Sequence, residues 1–214
     1  MTITFHHLTA PTPGDIAQIR TVYETNFPPV MRKPFRELVD GSRTGDVILL
    51  VAREGDPPAR IVGIATLAEL PHTSSFYLGF LATDQMLHNQ GIGGKLFDHM
   101  VEWVAGVDRS KNAIVWEVEA PEAEPDHIHN RRIRFYERHG ARVVGMAHTY
   151  RMPDDKGGVI PMRLMWIPLQ GRTHPPDRDE VAAWIAGIYA LVYPDSPELC
   201  AQLIAELDNA APET

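Results

Sequence analysis

Apolar positions along the chain alternate between strand-like and helix-like spacing, and each change marks an element. Residues 3–8 read as a first strand. Ile16, Ile19, Val22, Tyr23 and Phe27 then share one helical face, led in by Pro13-Gly14-Asp15 and ended by Pro28-Pro29. Pro34 opens a second short helix carrying Phe35, Leu38 and Val39. Residues 46–53 and 60–67 are apolar runs that predict a hairpin, joined by Glu54-Gly55-Asp56-Pro57-Pro58. Residues 76–82 form the next strand. The helix after it carries Leu96, Phe97, Met100, Val101 and Val104. Residues 113–119, rich in β-branched side chains, predict a strand. A proline-containing loop leads to a helix that ends at Gly140, a natural C′ residue. Val143-Val144 starts another strand, and residues 162–167 close the sheet.

Beyond residue 168 the pattern changes. Gly171-Arg172-Thr173-His174-Pro175-Pro176-Asp177 has the composition of a linker. Val181, Trp184, Ile185, Ile188, Tyr189 and Val192 then line one helical face. Ser196-Pro197-Glu198 starts a last helix, with the Ser196 hydroxyl as expected N-cap, and Leu199, Leu203, Ile204 and Leu207 form its apolar side. Two such helices cannot bury those faces against each other alone. They pack either on the main domain, residues 1–168, or on a second subunit, so a homodimer is one reading of residues 169–214.

Composition narrows the class. A chain of 214 residues holds one good-sized α/β domain and a small appendage. A formal charge of −8 and a pI near 5.6 disfavour a nucleic-acid surface. Cys200 is the single cysteine, so no intramolecular disulfide forms, and its apolar helical setting suggests core. No secretory pattern opens the sequence and no apolar run reaches membrane-spanning length, so a soluble cytoplasmic protein is expected.

The most specific chemistry lies between the strand at 76–82 and the following helix. The segment Asp84-Gln85-Met86-Leu87-His88-Asn89-Gln90-Gly91-Ile92-Gly93-Gly94-Lys95 is a polar loop closing on three glycines at a helix start. Such a loop exposes amide N–H groups beside the positive end of a helix dipole, which suits a phosphate. A P-loop is excluded, because Asn89 stands where its first glycine belongs and Leu96 follows Lys95. A dinucleotide fingerprint fails as well, with Leu96 in its last glycine position. An ordinary helix cap with extra glycines stays open on these residues alone.

With the downstream segment Phe135-Tyr136-Glu137-Arg138-His139-Gly140-Ala141, the chain resembles the GNAT superfamily of acyl-CoA-dependent N-acyltransferases. The acyl-CoA loop of that family, Arg/Gln-x-x-Gly-x-Gly/Ala, maps onto His88, Gly91 and Gly93. Its later Phe-Tyr-x-x-x-Gly-Phe/Ala signature is matched by Phe135-Tyr136 and Gly140-Ala141. The resemblance covers residues 1–168. It implies an α/β fold with a mixed, mostly antiparallel central sheet, helices on both faces, and the order βααβββαβαβ followed by the C-terminal helical extension. His88 departs from the family pattern: a histidine is charged only when protonated, whereas the usual arginine is always so.

The resemblance further implies acetyl-CoA as acyl donor and a small-molecule or peptide amine as acceptor. The backbone of Leu81, Ala82 and Thr83 would pair with the pantetheine arm. The amides of Asn89, Gln90, Gly91, Ile92, Gly93 and Gly94 would hold the pyrophosphate, with His88 and Lys95 beside it. His129 or Asn130 would stand where many members carry a cofactor-touching asparagine. Tyr136 matches the tyrosine that protonates the leaving thiolate. Glu117 and Glu119 alternate onto one strand face and are the candidate bases, with Glu69 a weaker one, while Trp116 points the other way. Phe27, Met31, Arg32 and Phe35 are candidate acceptor walls. His127 and His129 hint at a metal pair with no third ligand apparent, and no metal is expected. The competing function is a non-catalytic acyl-CoA-binding sensor or regulatory module.

Overall fold

The computed structural model describes residues 2–29, 32–55, 59–154 and 156–209. They form two compact units, Met1–Glu69 with Leu78–Val107, and Leu70–Tyr77 with Asp108–Thr214. The strands pair in the order β1-β2-β3-β4-β5-β8-β6, with β7 on β8, a mixed and mostly antiparallel arrangement.

The first unit contains β1 (Ile3–His7), α1 (Pro13–Asn26), α2 (Phe35–Thr44), β2 (Ile48–Glu54), β3 (Arg60–Glu69), the end of β4 (Ser75–Thr83), and α3 (Ile92–Val107). Antiparallel ladders join β1 to β2 and β2 to β3. In β3, Val62 is skipped between the pairs Ala52↔Gly63 and Arg53↔Ile61. This bulge resets the alternation and lets Ile61 and Ile64 enter one core cluster with Ile19, Val22, Tyr23 and Leu38. Burying each such side chain stabilises the fold by roughly 1.5–3 kcal/mol. Helix α1 is fixed at its start by a capping box, with Asp15 N–H donating to Thr12 Oγ1 (3.1 Å) and Thr12 N–H to Asp15 Oδ2 (3.0 Å). The other Asp15 oxygen accepts from Arg53 on β2 (2.7 Å), tying helix to sheet. Helix α3 comes close to β3 at Gly63, where an added Cβ would lie 3.1 Å from Leu96 and 3.3 Å from Thr83.

The second unit contains the first residues of β4, then β5 (Ala113–Glu119), α4 (Ile128–Arg138), β6 (Arg142–Val143), β7 (Arg151–Pro153), β8 (Val159–Pro168), α5 (Arg178–Val192) and α6 (Pro197–Glu206). Strand β5 pairs parallel with β4 at Ser75↔Ala113, Phe76↔Ile114 and Tyr77↔Val115, and antiparallel with β8 along its whole length. Gly140, at φ +86°, follows the α4 cap residue His139 as expected of a C′ glycine. Helix α5 packs within this unit: Trp184, fully buried, donates its indole N–H to Ser75 Oγ (2.9 Å), and its ring lies 6.0 Å from that of Trp166. Bidentate ion pairs Arg151–Glu206, Arg172–Glu180 and Arg178–Asp208 fasten the C-terminal segment further.

Three local expectations change. Ser196 occupies the N-cap position of α6 and Pro197 its first turn, but the serine side chain makes no capping bond. Cys200 is half-buried rather than core. The last strand, β8, is longer than 162–167, because β7 pairs with its outer end through Met152↔Ile160.

Candidate active site

In the first unit β4 runs into a tight loop. Asp84 accepts from Met86 N–H (2.9 Å) and so starts a single 3-10 turn, Gln85–Leu87. The Thr83 carbonyl accepts from Asn26 Nδ2 (2.9 Å) and sits 3.3 Å from His88 Nε2. Gln85 Nε2 donates to Thr25 O (2.6 Å), so the loop is held from both sides by the end of α1. Asn89 (φ +64°) and Gly91 (φ +75°) both adopt left-handed backbone, and α3 begins at Ile92. Among the described residues, no acceptor meets the backbone N–H groups of Asn89, Gln90, Gly91, Ile92, Gly93 or Gly94; the first amide of the helix with a partner is Lys95, bonded to Gly91 O (3.1 Å). Six consecutive amides on a left-handed bend at a helix start form an anion cradle. His88, Asn89, Gln90, Gly91 and Lys95 are exposed, whereas Ile92 and Gly94 are buried beneath the turn. Leu81 and Thr83 are half-buried and Ala82 is buried.

The predicted acceptor walls have other neighbours. Phe27 is half-buried against Tyr23 and Phe80, with ring centroids 5.6 and 4.9 Å away. Phe35 is buried under Arg20, whose guanidinium lies 4.4 Å from its ring centre. Arg32 is half-buried, and its Nε has no hydrogen-bond partner among the described residues. Met31 lies outside the described residues.

In the second unit the two candidate bases part company. Glu117 is half-buried and accepts from three phenols: Tyr77 on Oε2 (2.7 Å), Tyr150 on Oε1 (2.8 Å), and Tyr193 shared between both oxygens at 3.1 Å. Burial raises its pKa above the ordinary glutamate value, although all three hydrogen bonds work to lower it. Glu119 pairs with Arg132 on α4. Burial pushes that carboxyl up as well, but the arginine outweighs it and holds Glu119 below its usual range. Tyr136 is 7% exposed and packs its ring 4.9 Å from that of Trp116. Burial lifts its pKa to about 12, so it is protonated at neutral pH. Neither Tyr150 nor Tyr193 stood out in the sequence. They lie 33 and 76 positions from Glu117, and no local pattern links them to it.

His129 and Asn130 sit at the start of α4. His129 Nδ1 lies 3.3 Å from Ala120 O. Asn130 clamps the preceding loop, donating to Glu122 O and Glu124 O (2.7 Å each) and accepting from Glu122 N–H (3.0 Å). Glu122 supplies the third donor that the sequence did not reveal beside His127 and His129: one ligating atom of each lies within 4.8 Å of the others. His127 Nδ1 caps the helix by accepting from His129 N–H (3.3 Å).

Residues 45–140 match the family model described as an acetyltransferase (GNAT) domain. This stretch is similar to the GNAT acetyltransferase domain. It contains the loop, Glu117, Glu119 and Tyr136. No curated protein matches the chain. Solved structures similar to this chain include a GNAT-family protein from Bacteroides thetaiotaomicron, at 23% identity and TM-score 0.65 over 89% of this chain and 98% of that one. The ribosomal-protein alanine N-acetyltransferase of Escherichia coli gives 16% identity and TM-score 0.57, covering 82% and 99%. Arabidopsis thaliana NAA60 in complex with acetyl-CoA gives 19% identity and TM-score 0.59, covering 79% and 100%. At these identities the likeness concerns the fold. Among the described residues no helix is long and apolar enough to cross a membrane.

Proposed function

We propose that the protein transfers an acetyl group from acetyl-CoA to the nitrogen of a primary amine. The observation that carries this reading is the run of six unbonded amides, Asn89 to Gly94, inside the region that matches the GNAT domain. A pyrophosphate offers those amides the acceptors they lack, and the α3 dipole adds to its binding. That similar folds are crystallised with acetyl-CoA or coenzyme A supports the choice of ligand. The donor supplies an activated thioester. The protein's own residues supply binding and proton handling.

Glu117 is assigned as proton acceptor and Tyr136 as proton donor. An ammonium arriving at Glu117 gives up a proton to the carboxylate, and its lone pair forms the amide bond as the C–S bond breaks. The nitrogen sheds its second proton to solvent as the amide forms; the departing thiolate takes the Tyr136 proton, and the tyrosinate regains one from Glu117 through solvent, so one proton is released overall. Glu119 is excluded from the base role in this scheme because Arg132 lowers its proton affinity. His129 and the backbone of Leu81, Ala82 and Thr83 complete the proposed donor contacts, with Lys95 and His88 at the phosphate end. Phe27 and Arg32 remain the proposed acceptor contacts in the first unit.

Calorimetric titration with acetyl-CoA, with desulfo-coenzyme A and ATP as controls, tests the donor site. Saturable binding of acetyl-CoA without binding of ATP is expected; no binding overturns the assignment. Release of free thiol in the presence of spermidine, kanamycin, alanine amide and an alanyl peptide then tests transfer. Binding with no turnover on any of them would favour the non-catalytic module.

A further inference from the structure

We propose that Tyr193, at the end of helix α5, acts with Tyr77 and Tyr150 as a positioning residue that holds Glu117 for a cationic acceptor. The inference rests on Glu117 as proton acceptor and extends the acceptor site into the C-terminal segment, beyond the matched residues 45–140.

The geometry makes the case. Glu117 is a carboxylate drawn out of water, and among the described residues no Lys, Arg or His pairs with it. A structural carboxylate in such surroundings normally meets a cation, as Glu119 meets Arg132 and Asp15 meets Arg53. Glu117 has phenols instead, each from a different segment. Tyr77 comes from β4, Tyr150 from the turn before β7, and Tyr193 from the cap of α5. The remaining surroundings add no positive charge. Leu164 is opposite on β8, the Tyr193 hydroxyl lies 3.4 Å from Met152 Sδ on β7, and Tyr189 spends its hydroxyl on Arg151 O (2.7 Å). Cys200 of α6 faces Tyr189 and is neutral as a thiol. The cluster therefore holds a negative charge with aromatic neighbours and no resident counter-ion, an arrangement that an ammonium completes.

The three donors are not equivalent. Tyr77 and Tyr150 each hold one oxygen at 2.7 and 2.8 Å, which fixes the carboxylate plane. Tyr193 splits one proton over both oxygens at 3.1 Å and is the weakest of the three. It is also only half-buried, where Tyr150 is 1% exposed. Its contact leaves both carboxylate oxygens with capacity to accept from an incoming ammonium as well.

The test is the pH dependence of kcat/KM for spermidine, or for whichever amine of the panel above is accepted, in Y193F, Y150F and E117Q. Y193F is expected to raise the acidic limb by about one pH unit and the acceptor KM by ~10-fold, the loss of one charge-assisted hydrogen bond, with acetyl-CoA affinity unchanged. Y150F should move the same limb further. A Y193F protein with a lowered melting temperature but an unmoved limb and KM would make Tyr193 structural and overturn the inference, with Glu117 still the base. An E117Q protein that keeps its activity and pH profile would overturn the base assignment itself. Failure to acetylate any amine would remove both.

Discussion

Tyr136 and Glu117 each gain from burial the proton affinity their proposed task requires. Tyr136, pushed up to about 12, keeps its proton until a thiolate needs it. Replacement by phenylalanine should lower kcat by ~100-fold or more, with acetyl-CoA affinity nearly unchanged, since general acid catalysis contributes on that scale. Comparable loss of both in kinetics and calorimetry would make its role one of packing against Trp116. Glu117 is raised above the ordinary carboxylate value, so as a base it works above that raised pKa and fails as the pH falls through it. The acidic limb of kcat/KM should therefore lie above about 4.5 and vanish in E117Q, while E119Q leaves its position unchanged. Alternation along β5 was enough to single out this pair from the sequence. It could not rank them, because the difference comes from Arg132 on one side and from Tyr150 and Tyr193 on the other. His129 and Asn130 were likewise adjacent candidates, and both meet the preceding loop, Asn130 at Glu122 and Glu124 and His129 at Ala120.

Among elements, helix α5 and the glycine loop show how much a side chain's absence can matter. Gly187 sits within α5 where an added Cβ would lie 2.7 Å from Leu70 Cγ and 3.2 Å from Pro71 O. Alanine there improves helix propensity by up to ~1 kcal/mol, but overpacking costs typically ~1–3 kcal/mol, so Gly187→Ala should be net destabilising in denaturant unfolding. Gly106 in α3 is the control: a Cβ there meets nothing within 4 Å, and Gly106→Ala should stabilise by ~0.5–1 kcal/mol. Gly91 differs from both, with open space but φ +75°. Gly91→Ala is expected to strain the cradle by ~1–2 kcal/mol and weaken acetyl-CoA binding, read by calorimetry beside a thermal melt. Most elements were legible from spacing and turn residues: the hairpin, the strand before the glycine loop, and α3 emerge within a residue or two. The two-residue β6 and three-residue β7 are too short to carry a period, and β7 exists because β8 offers it an edge.

Across the molecule, the C-terminal helices were legible as amphipathic, but their partner was not, because a hydrophobic face does not state what covers it. Their attachment within the second unit relies on bidentate ion pairs as well as on Trp184. Arg151 holds Glu206 well below the normal range, at about 2. A carboxyl depressed in the folded state contributes stability above its unfolded pKa, near 4.5, and loses it progressively as the pH falls towards 2. E206Q should therefore melt below the parent protein at pH 6, and the two should converge as the pH approaches 2. A difference that persists undiminished in acid would assign the effect to packing.

Ser75 is fully buried, and the indole N–H of Trp184 reaches it across 109 positions of sequence. The tail is in this respect a plug, and its removal has a practical cost in handling the protein. A fragment cut to residues 45–140 would lose that partner and uncover Leu70, which lies against α5 at Gly187. Such a fragment should be recovered mainly from inclusion bodies, and only material that retains α5 should stay dispersed on concentration.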